Sequence, residues 1–383
     1  MKKILVVNYE FPPIGGGGGR VSFEIAKRLK DDVNIDVLTS HYKQKNIYPE
    51  KIDGVRFFTV PSYRVSINQT GLWGVLSFLF FGAFLFRKLV KDNTYDLIHY
   101  YFSVPTGALS FLQPKDIPYI VSLNGGDVPG YAPREMPLLA QMTKFLNKKI
   151  VKNARFVTAV SSDLGNFAQK VLDFTDCKII HNGVAKDLCI SEEEFEKNKA
   201  LKLKRKTLSI ICVSRLAYFK RIDILIRAMA NMDDIELKIV GEGSQRRELE
   251  KLVSDLRLGD KISFLGFIHN SEIGGHLMGA DVFVLPSIAD SFGIVFLEAM
   301  AKGLPVIGAR AGGVVDIIKD GESGFLVKPL SVGELTIAIS RLRDDRDLSL
   351  RLGKTGLAIV KNNFLWESKA NEYLDLYKEA MAQ

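Results

Sequence analysis

Residues 281–308 read DVFVLPSIADSFGIVFLEAMAKGLPVIG. An apolar run with β-branched residues, Asp281–Pro286, ends in a Ser/Ala/Asp turn. A helical stretch, VFLEAMA, follows, and after a Lys-Gly break a second apolar run starts at Pro305. Short apolar runs separated by one amphipathic or apolar helix predict a strand–helix–strand unit of a parallel sheet with both faces covered. The same rhythm extends in both directions. Toward the N-terminus it predicts strands at Leu208–Ser214, Glu236–Val240 and Lys261–Leu265, and toward the C-terminus at Pro305–Ala309 and Gly324–Val327. In the first half it predicts strands at Lys3–Asn8, Ile35–Thr39, Val55–Pro61, Asp96–Tyr101, Tyr119–Leu123, Phe156–Val160 and Lys178–Ile180, with a helix over Val21–Lys30.

The rhythm breaks over Ala185–Lys206. Glu192, Glu193, Glu194 and Glu196 there give way to a lysine-rich run ending Lys204, Arg205, Lys206. Such a stretch reads as a solvated helix and loop at a domain boundary. The expected organisation is therefore two Rossmann-like α/β domains, 1–185 and 186–362. Residues 363–383, carrying Trp366 and Tyr373, form a closing helix that returns to the first domain. In doubly wound sheets ligands bind at the carboxyl ends of the strands, and two such sheets facing one another put the best site in the cleft between them.

The chain has 383 residues, 25% of them charged and 47% hydrophobic, a soluble globular balance. Cys177, Cys189 and Cys212 have no CxxC spacing, which argues against a disulfide framework or a zinc site and suits a reducing cytoplasm. Lys2 and Lys3 lead straight into a strand, not a signal peptide. The net charge of +8 favours anionic partners. No zinc finger or aromatic–basic RNA motif is present, so phosphorylated small molecules or a membrane surface are expected rather than nucleic acid.

Four features carry candidate chemistry. The first is FPPIGGGGGR, residues 11–20. It lacks the Gly-Lys-Ser/Thr ending of a Walker A loop, and Arg20 stands where a dinucleotide fingerprint needs glycine. What is left is a glycine loop opening a helix, whose free N–H groups suit an anion. The second is VSRLAYFKRID, where Arg215 follows a strand and Lys220 comes five residues later, a cation pair suited to a diphosphate. The third is the opening stretch itself. Asp290 lies in its turn, Phe292, Gly293 and Ile294 open the helix, and Glu298 lies eight residues after Asp290 in an apolar helix. A carboxylate there needs a hydrogen-bond partner, either an internal cation or a ribose diol. The fourth is SLNGGD, with Asn124 and Asp127. Asp127 either contacts a substrate or caps its own loop. His99, His269 and His276 are isolated, and a structural or exposed place is expected for each.

With LNGGDVPG, IIHNGV, IVGEGSQRRELE, FLGFI and ARAGGVVDIIKDGESGFLV, these stretches together resemble glycosyltransferase family 4 across nearly the whole chain. The resemblance implies the GT-B architecture and a retaining, metal-independent transfer from a nucleotide-diphosphate sugar to a hydroxyl of a glycan or lipid-linked acceptor. Cell-surface polysaccharide or glycolipid synthesis is the expected setting. By resemblance, Arg215 and Lys220 neutralise the donor diphosphate and Glu298 holds the ribose hydroxyls. Asp290 reads the transferred sugar; Gly16 and Gly17 lie against the donor diphosphate or the acceptor; and the backbone at Phe292, Gly293 and Ile294 faces sugar and phosphate. No cofactor beyond the donor is implied. Two departures stand out. Asp290 replaces the family's glutamate, one methylene shorter, and Asn124 replaces a frequent histidine, which removes a proton-accepting base there. His181 in IIHNGV stands where proline is usual. A non-catalytic nucleotide-sugar-binding protein and a sugar-nucleotide epimerase are the alternatives.

A last pair of features concerns membranes. Val65–Phe86 carries no charge in 22 residues, but Asn68, Gln69 and Thr70 shorten the apolar part to Gly71–Phe86, followed by Arg87, Lys88 and Lys91. A core or cleft helix of the first half is expected, ahead of a membrane-dipping face and of a true span. Lys144, Lys148, Lys152 and Arg155 share one helical face beside Leu138, Phe145, Leu146 and Ile150. That face suits peripheral docking on an anionic inner leaflet.

Overall fold

A computed structural model of the protein describes residues 1–43, 51–52, 54–66, 70–131 and 137–382. Asn68, Gln69 and the side chain of Leu138 lie outside the described residues. The chain divides into two compact units, Met1–Asn182 with Trp366–Gln383, and Gly183–Leu365. The divisions at 182/183 and 365/366 stand where 185/186 and 362/363 were expected.

The first unit runs β1 (Lys3–Val7), α1 (Gly17–Leu29), β2 (Asn34–His41), β3 (Lys51–Ile52), β4 (Val55–Pro61), α2 (Gly71–Asp92), β5 (Leu97–Tyr101), β6 (Tyr119–Leu123), α3 (Pro137–Asn153), β7 (Phe156–Ala159), α4 (Ser162–Leu172) and β8 (Lys178–Ile179). The second runs α5 (Glu192–Leu203), β9 (Leu208–Val213), α6 (Ile222–Ala228), β10 (Ile235–Val240), α7 (Arg246–Asp255), β11 (Ile262–Gly266), α8 (Asn270–Met278), β12 (Val282–Leu285), α9 (Ile294–Ala301), β13 (Val306–Ala309), β14 (Gly324–Val327), α10 (Val332–Asp344) and α11 (Arg346–Asn363). Helix α12 (Trp366–Met381) ends the chain and packs in the first unit. Every strand expected from the sequence is present, with ends shifted by at most two residues; the short β3 was not foreseen.

The second sheet has the order β11-β10-β9-β12-β13-β14, all parallel. This is the doubly wound order, which reverses direction between β9 and β12 and opens a crevice at their carboxyl ends. The first sheet has the order β3-β4-β2-β1-β5-β6-β7-β8 and is parallel apart from the β3–β4 edge pair. Its order reverses between β1 and β5. The central strands β1, β5, β6, β9 and β12 are buried along nearly their whole length, as their unbroken apolar runs require.

Two local expectations change. Helix α1 begins at Gly17, inside the glycine run, and not at Val21. The acid-rich stretch after residue 190 is the expected solvated helix, α5, but it belongs to the second unit instead of lying between the two. Ser191 and Glu194 close its N-terminus as a reciprocal capping box, and Phe195 anchors it beside Ile190 and Leu357.

Helix α12 docks on α1 and β5. His99 of β5 is fully buried, 2.7 Å from the Tyr377 hydroxyl of α12 through Nδ1 and 2.7 Å from the Ser122 hydroxyl through Nε2. Burial pushes its pKa down to about 3. The unfolded imidazole, near its ordinary value of about 6.5, takes up a proton that the folded one refuses. The stabilisation is therefore complete above about pH 6.5 and is lost as pH falls from there toward about 3. Stability should drop by about 2 kcal/mol between pH 7 and pH 5 through this residue alone. Urea unfolding at both pH values checks this. A His99→Gln variant should show that much less acid sensitivity, and an unchanged pH slope would refute the assignment.

Candidate active site

The crevice between β9 and β12 is where the second unit gathers its candidate residues. After β9 the chain passes Arg215, which is exposed, and tightens into a 3-10 turn at Tyr218–Lys220. Lys220 is 9% exposed, and its ammonium donates to Asp290 Oδ1 at 2.5 Å. Asp290 arrives on the loop after β12. The Ile288 N–H donates to the Phe219 carbonyl at 3.0 Å, which fastens this loop to the lysine turn. From the other side the Gly313 N–H donates to the Asp290 carbonyl at 2.8 Å. Gly312 has φ of +63°, and a Cβ there would stand 2.4 Å from the same carbonyl oxygen. Only glycine lets the backbone approach that closely.

The pair is not saturated. Asp290 Oδ2 is buried and has no hydrogen-bond partner among the described residues. A buried acceptor left unmade costs about 1–3 kcal/mol, so an incoming O–H or N–H donor would be favoured there. The Arg215 guanidinium and the Lys220 ammonium both lie over the Phe219 ring, 6.0 and 5.4 Å from its centre. Attraction to the electron-rich ring offsets part of the cost of two like charges in one turn. The sequence reading missed Phe219, and also Gly312 and Gly313; the glycines were visible only as part of ARAGGVVD.

Helix α9 opens at Ile294 with Gly293, φ +98°, as its N-cap. Among the described residues no side chain caps this end, and the Phe296 N–H donates to the Gly293 carbonyl at 2.9 Å, which leaves the Ile294 and Val295 end as the one turned to a ligand. The Phe292 side chain is not part of this opening. It is 2% exposed and packs on Phe364 at 6.1 Å between ring centres. Glu298 is half-buried one turn inside α9.

In the first unit the glycine run divides by role. A Cβ on Gly15 would stand 2.5 Å from the Glu10 side chain, and one on Gly18 would stand 2.4 Å from the Phe102 ring. Both positions are glycine because the unit packs on itself there. Gly16 and Gly17 are exposed, with nothing within 4 Å of an added Cβ, so they form the open face of the loop. Beyond β6, Asp127 is buried and turned inward. It accepts from the N–H groups of Ser103 at 2.8 Å, Gly125 at 3.0 Å and Asn124 at 3.1 Å. Asp127 thus shapes the SLNGGD loop. Asn124 Nδ2 donates to the Ser122 carbonyl at 3.1 Å, and the residue is half-buried.

Comparison with known proteins gives this arrangement a family. Residues 15–188 match the family described as Glycosyltransferase Family 4, and residues 193–358 match that described as Glycosyl transferases group 1. The two matches follow one another along nearly the whole chain. The chain belongs to glycosyltransferase family 4. The family 4 chain is 25% identical to the N-acetyl-alpha-D-glucosaminyl L-malate synthase of Bacillus anthracis over 96% of its own length and 95% of that protein. Its fold matches the sucrose-phosphate synthase of Thermosynechococcus elongatus with a TM-score of 0.85, at 24% identity and full coverage of both chains. Anabaena HepE, solved in complex with UDP and glucose, matches with a TM-score of 0.74 at 22% identity, over 99% of this chain and 100% of that one. The enzyme is therefore a glycosyltransferase of the GT-B class.

Proposed function

We propose that this glycosyltransferase takes its sugar from a nucleoside-diphosphate donor held at the β9–β12 crevice and passes it, with retention, to an acceptor hydroxyl. The observation that carries the reading is the Lys220–Asp290 pair with its unused carboxylate oxygen, on the same strand ends as Arg215 and an α9 N-terminus that no side chain caps among the described residues. The two cations and the helix N-terminus stabilise the charge that grows on the leaving diphosphate, with no metal needed for that task. Asp290 Oδ2 accepts from a hydroxyl of the transferred sugar, and Glu298 accepts from the ribose. The bond from the anomeric carbon to the diphosphate oxygen breaks as the acceptor oxygen bonds to that carbon on the same face, and the hydroxyl proton passes to the leaving phosphate oxygen. Asn124 offers only a neutral amide, so no base is assigned there. HepE bound to UDP supports a nucleoside-diphosphate donor by likeness of fold.

A thermal-shift series with UDP-, GDP- and ADP-sugars tests the donor. One class should raise Tm by mass action, and the shift should shrink in Glu298→Gln. No shift with any of them would sink the assignment.

The acceptor is proposed to be lipid-linked, on the inner face of a membrane. Helix α2 is long and apolar enough to cross a bilayer by length and composition. One face, with Phe78, Gly82, Phe86 and Leu89, is buried against the first unit, so the expectation of a core helix holds for that face only. The other face exposes Trp73 at 73%, Phe80 at 60% and Phe84 at 61%, with Leu76 between them. Arg87, Lys88 and Lys91 follow, all exposed. An apolar ridge running into basic residues suits acyl chains below anionic headgroups. Helix α3 contributes less than its sequence implied, because Lys148 and Lys152 both lie on Asp173, at 3.8 and 3.0 Å. Co-sedimentation with anionic vesicles should fail for Trp73→Ser/Phe80→Ser and weaken with salt for the wild type. Glutamine at Lys144, Lys148, Lys152 and Arg155 together should have the smaller effect, since each basic residue near the surface contributes only about 1 kcal/mol. Equal loss in both variants would return the docking surface to α3.

A further inference from the structure

Glu10, in the turn after β1, receives more hydrogen bonds than a loop carboxylate at the end of a strand needs. Its Oε2 accepts from the Gly16 N–H at 3.1 Å, at the open face of the glycine loop. Its Oε1 accepts from Thr70 Oγ1 at 3.1 Å and from Arg64 Nη2 at 3.2 Å. Thr70 is the N-cap residue of α2. The Arg64 side chain is fully buried, reaches the Tyr9 carbonyl as well, and pairs with a carboxylate that is itself only 14% exposed. The segment carrying Arg64 is sewn to the first two turns of α2. Ser62 Oγ donates to the Gly74 carbonyl at 3.0 Å, and Ser77 Oγ accepts from the Tyr63 N–H at 2.9 Å. Two routes therefore run from the start of α2 to one carboxylate, and one bond runs on from it to the glycine loop. A Cβ at Gly15 would strike this carboxylate, so the loop and Glu10 must move together.

We propose that Glu10 is a positioning residue that joins α2 to the glycine loop, so that a lipid surface met by the exposed ridge of α2 orders the loop. The inference rests on the lipid-docking reading of α2. Trp73 lies one turn from Thr70, and Thr70 is the N-cap of the same helix. Seating the ridge in a headgroup layer fixes that helix end, and Glu10 passes the constraint to the Gly16 N–H. A buried ion pair transmits such a constraint well because neither partner can rotate away without losing the charge partner it has among the described residues in a dry setting.

Hydrogen–deuterium exchange of the segment 11–20, without and with vesicles of equal parts phosphatidylglycerol and phosphatidylcholine, reads the loop without any substrate. In the wild type, vesicles should slow exchange at the glycine amides by about tenfold, the scale of one charge-assisted hydrogen bond gained or held. Glu10→Gln should sediment with the vesicles like wild type yet lose most of the slowing, since both routes meet at its carboxylate. Thr70→Val, which leaves the Arg64 route in place, should sediment like wild type and lose part of the slowing, and it decides the matter if Glu10→Gln does not fold. Slowing undiminished in Thr70→Val, or a wild type that binds vesicles with no change at the loop, overturns this inference alone. A wild type that does not sediment overturns the docking reading and this inference with it.

Discussion

Lys220→Ala is expected to lower kcat/KM by about 3–4 kcal/mol, on the order of a hundred- to a thousandfold, the range for removing one preorganised donor to a developing charge. The ammonium is held almost out of solvent, so no water-screened lysine replaces it. The same variant carries a second, separable consequence. It leaves both oxygens of the half-buried Asp290 without a donor among the described residues, where the buried Oδ2 is without a partner already. Stability should fall by about 1–3 kcal/mol for that reason. Adding Asp290→Asn to Lys220→Ala should restore most of the lost stability while leaving activity low, because the two residues act as one unit and their effects do not add. Urea midpoints and steady-state rates on the four proteins of this cycle measure both terms. Wild-type kcat/KM in Lys220→Ala would remove the lysine from the diphosphate site. Arg215→Ala should also lower kcat/KM, but without the stability loss, since Arg215 is exposed and its ring contact with Phe219 spans 6.0 Å.

Asp290→Asn is expected to separate chemistry from nucleotide binding in an unusual direction. The sugar loses an ionised acceptor at Oδ2, so kcat should fall by ten- to a hundredfold, about 1.5–3 kcal/mol for a hydrogen bond to a charged group. Affinity for the free nucleoside diphosphate should rise, not stay level. In the protein without donor, Lys220 is neutralised by Asp290 at 2.5 Å, and the incoming diphosphate has to share it. An amide releases that cation, and binding should tighten by about 1 kcal/mol, roughly fivefold. Isothermal titration with the nucleoside diphosphate reads the affinity, and single-turnover rates read the chemistry. Weaker binding in Asp290→Asn would mean that the carboxylate holds Lys220 in place for the diphosphate instead of competing with it.

The glycine run illustrates how far local reading reaches. Its five residues announce a backbone needing freedom and close approach. They do not say that Gly15 and Gly18 are cleared for Glu10 and Phe102, while Gly16 and Gly17 stay open. Glu10 sits in the same loop, but Phe102 comes from the end of β5, far away in the chain, and no local pattern tells which glycine meets which. Asp127 shows the same limit. An aspartate three residues after Asn124 reads equally as a ligand contact and as a loop cap, and only the arrival of Ser103 from another strand end shows both oxygens engaged. Helix α2 shows it on the scale of an element. Composition gives a 16-residue apolar stretch, and packing alone divides it into a buried face and an exposed aromatic ridge.

The sequence by itself determined the strands, the two α/β units, the family and the identity of the charged residues at the β9–β12 crevice. These follow from periodicity and from short motifs, in which the interacting groups are neighbours along the chain. Tertiary structure alone decided that Lys220 meets Asp290 across 70 residues, that one Asp290 oxygen is left over, and that both cations lie over Phe219. It also decided that Glu10 gathers Arg64, Thr70 and Gly16. The reason is physical. A carboxylate's partner is whichever donor the sheet order brings to the same strand end, and that order reverses at the crevice, so residues far apart in the chain become neighbours there.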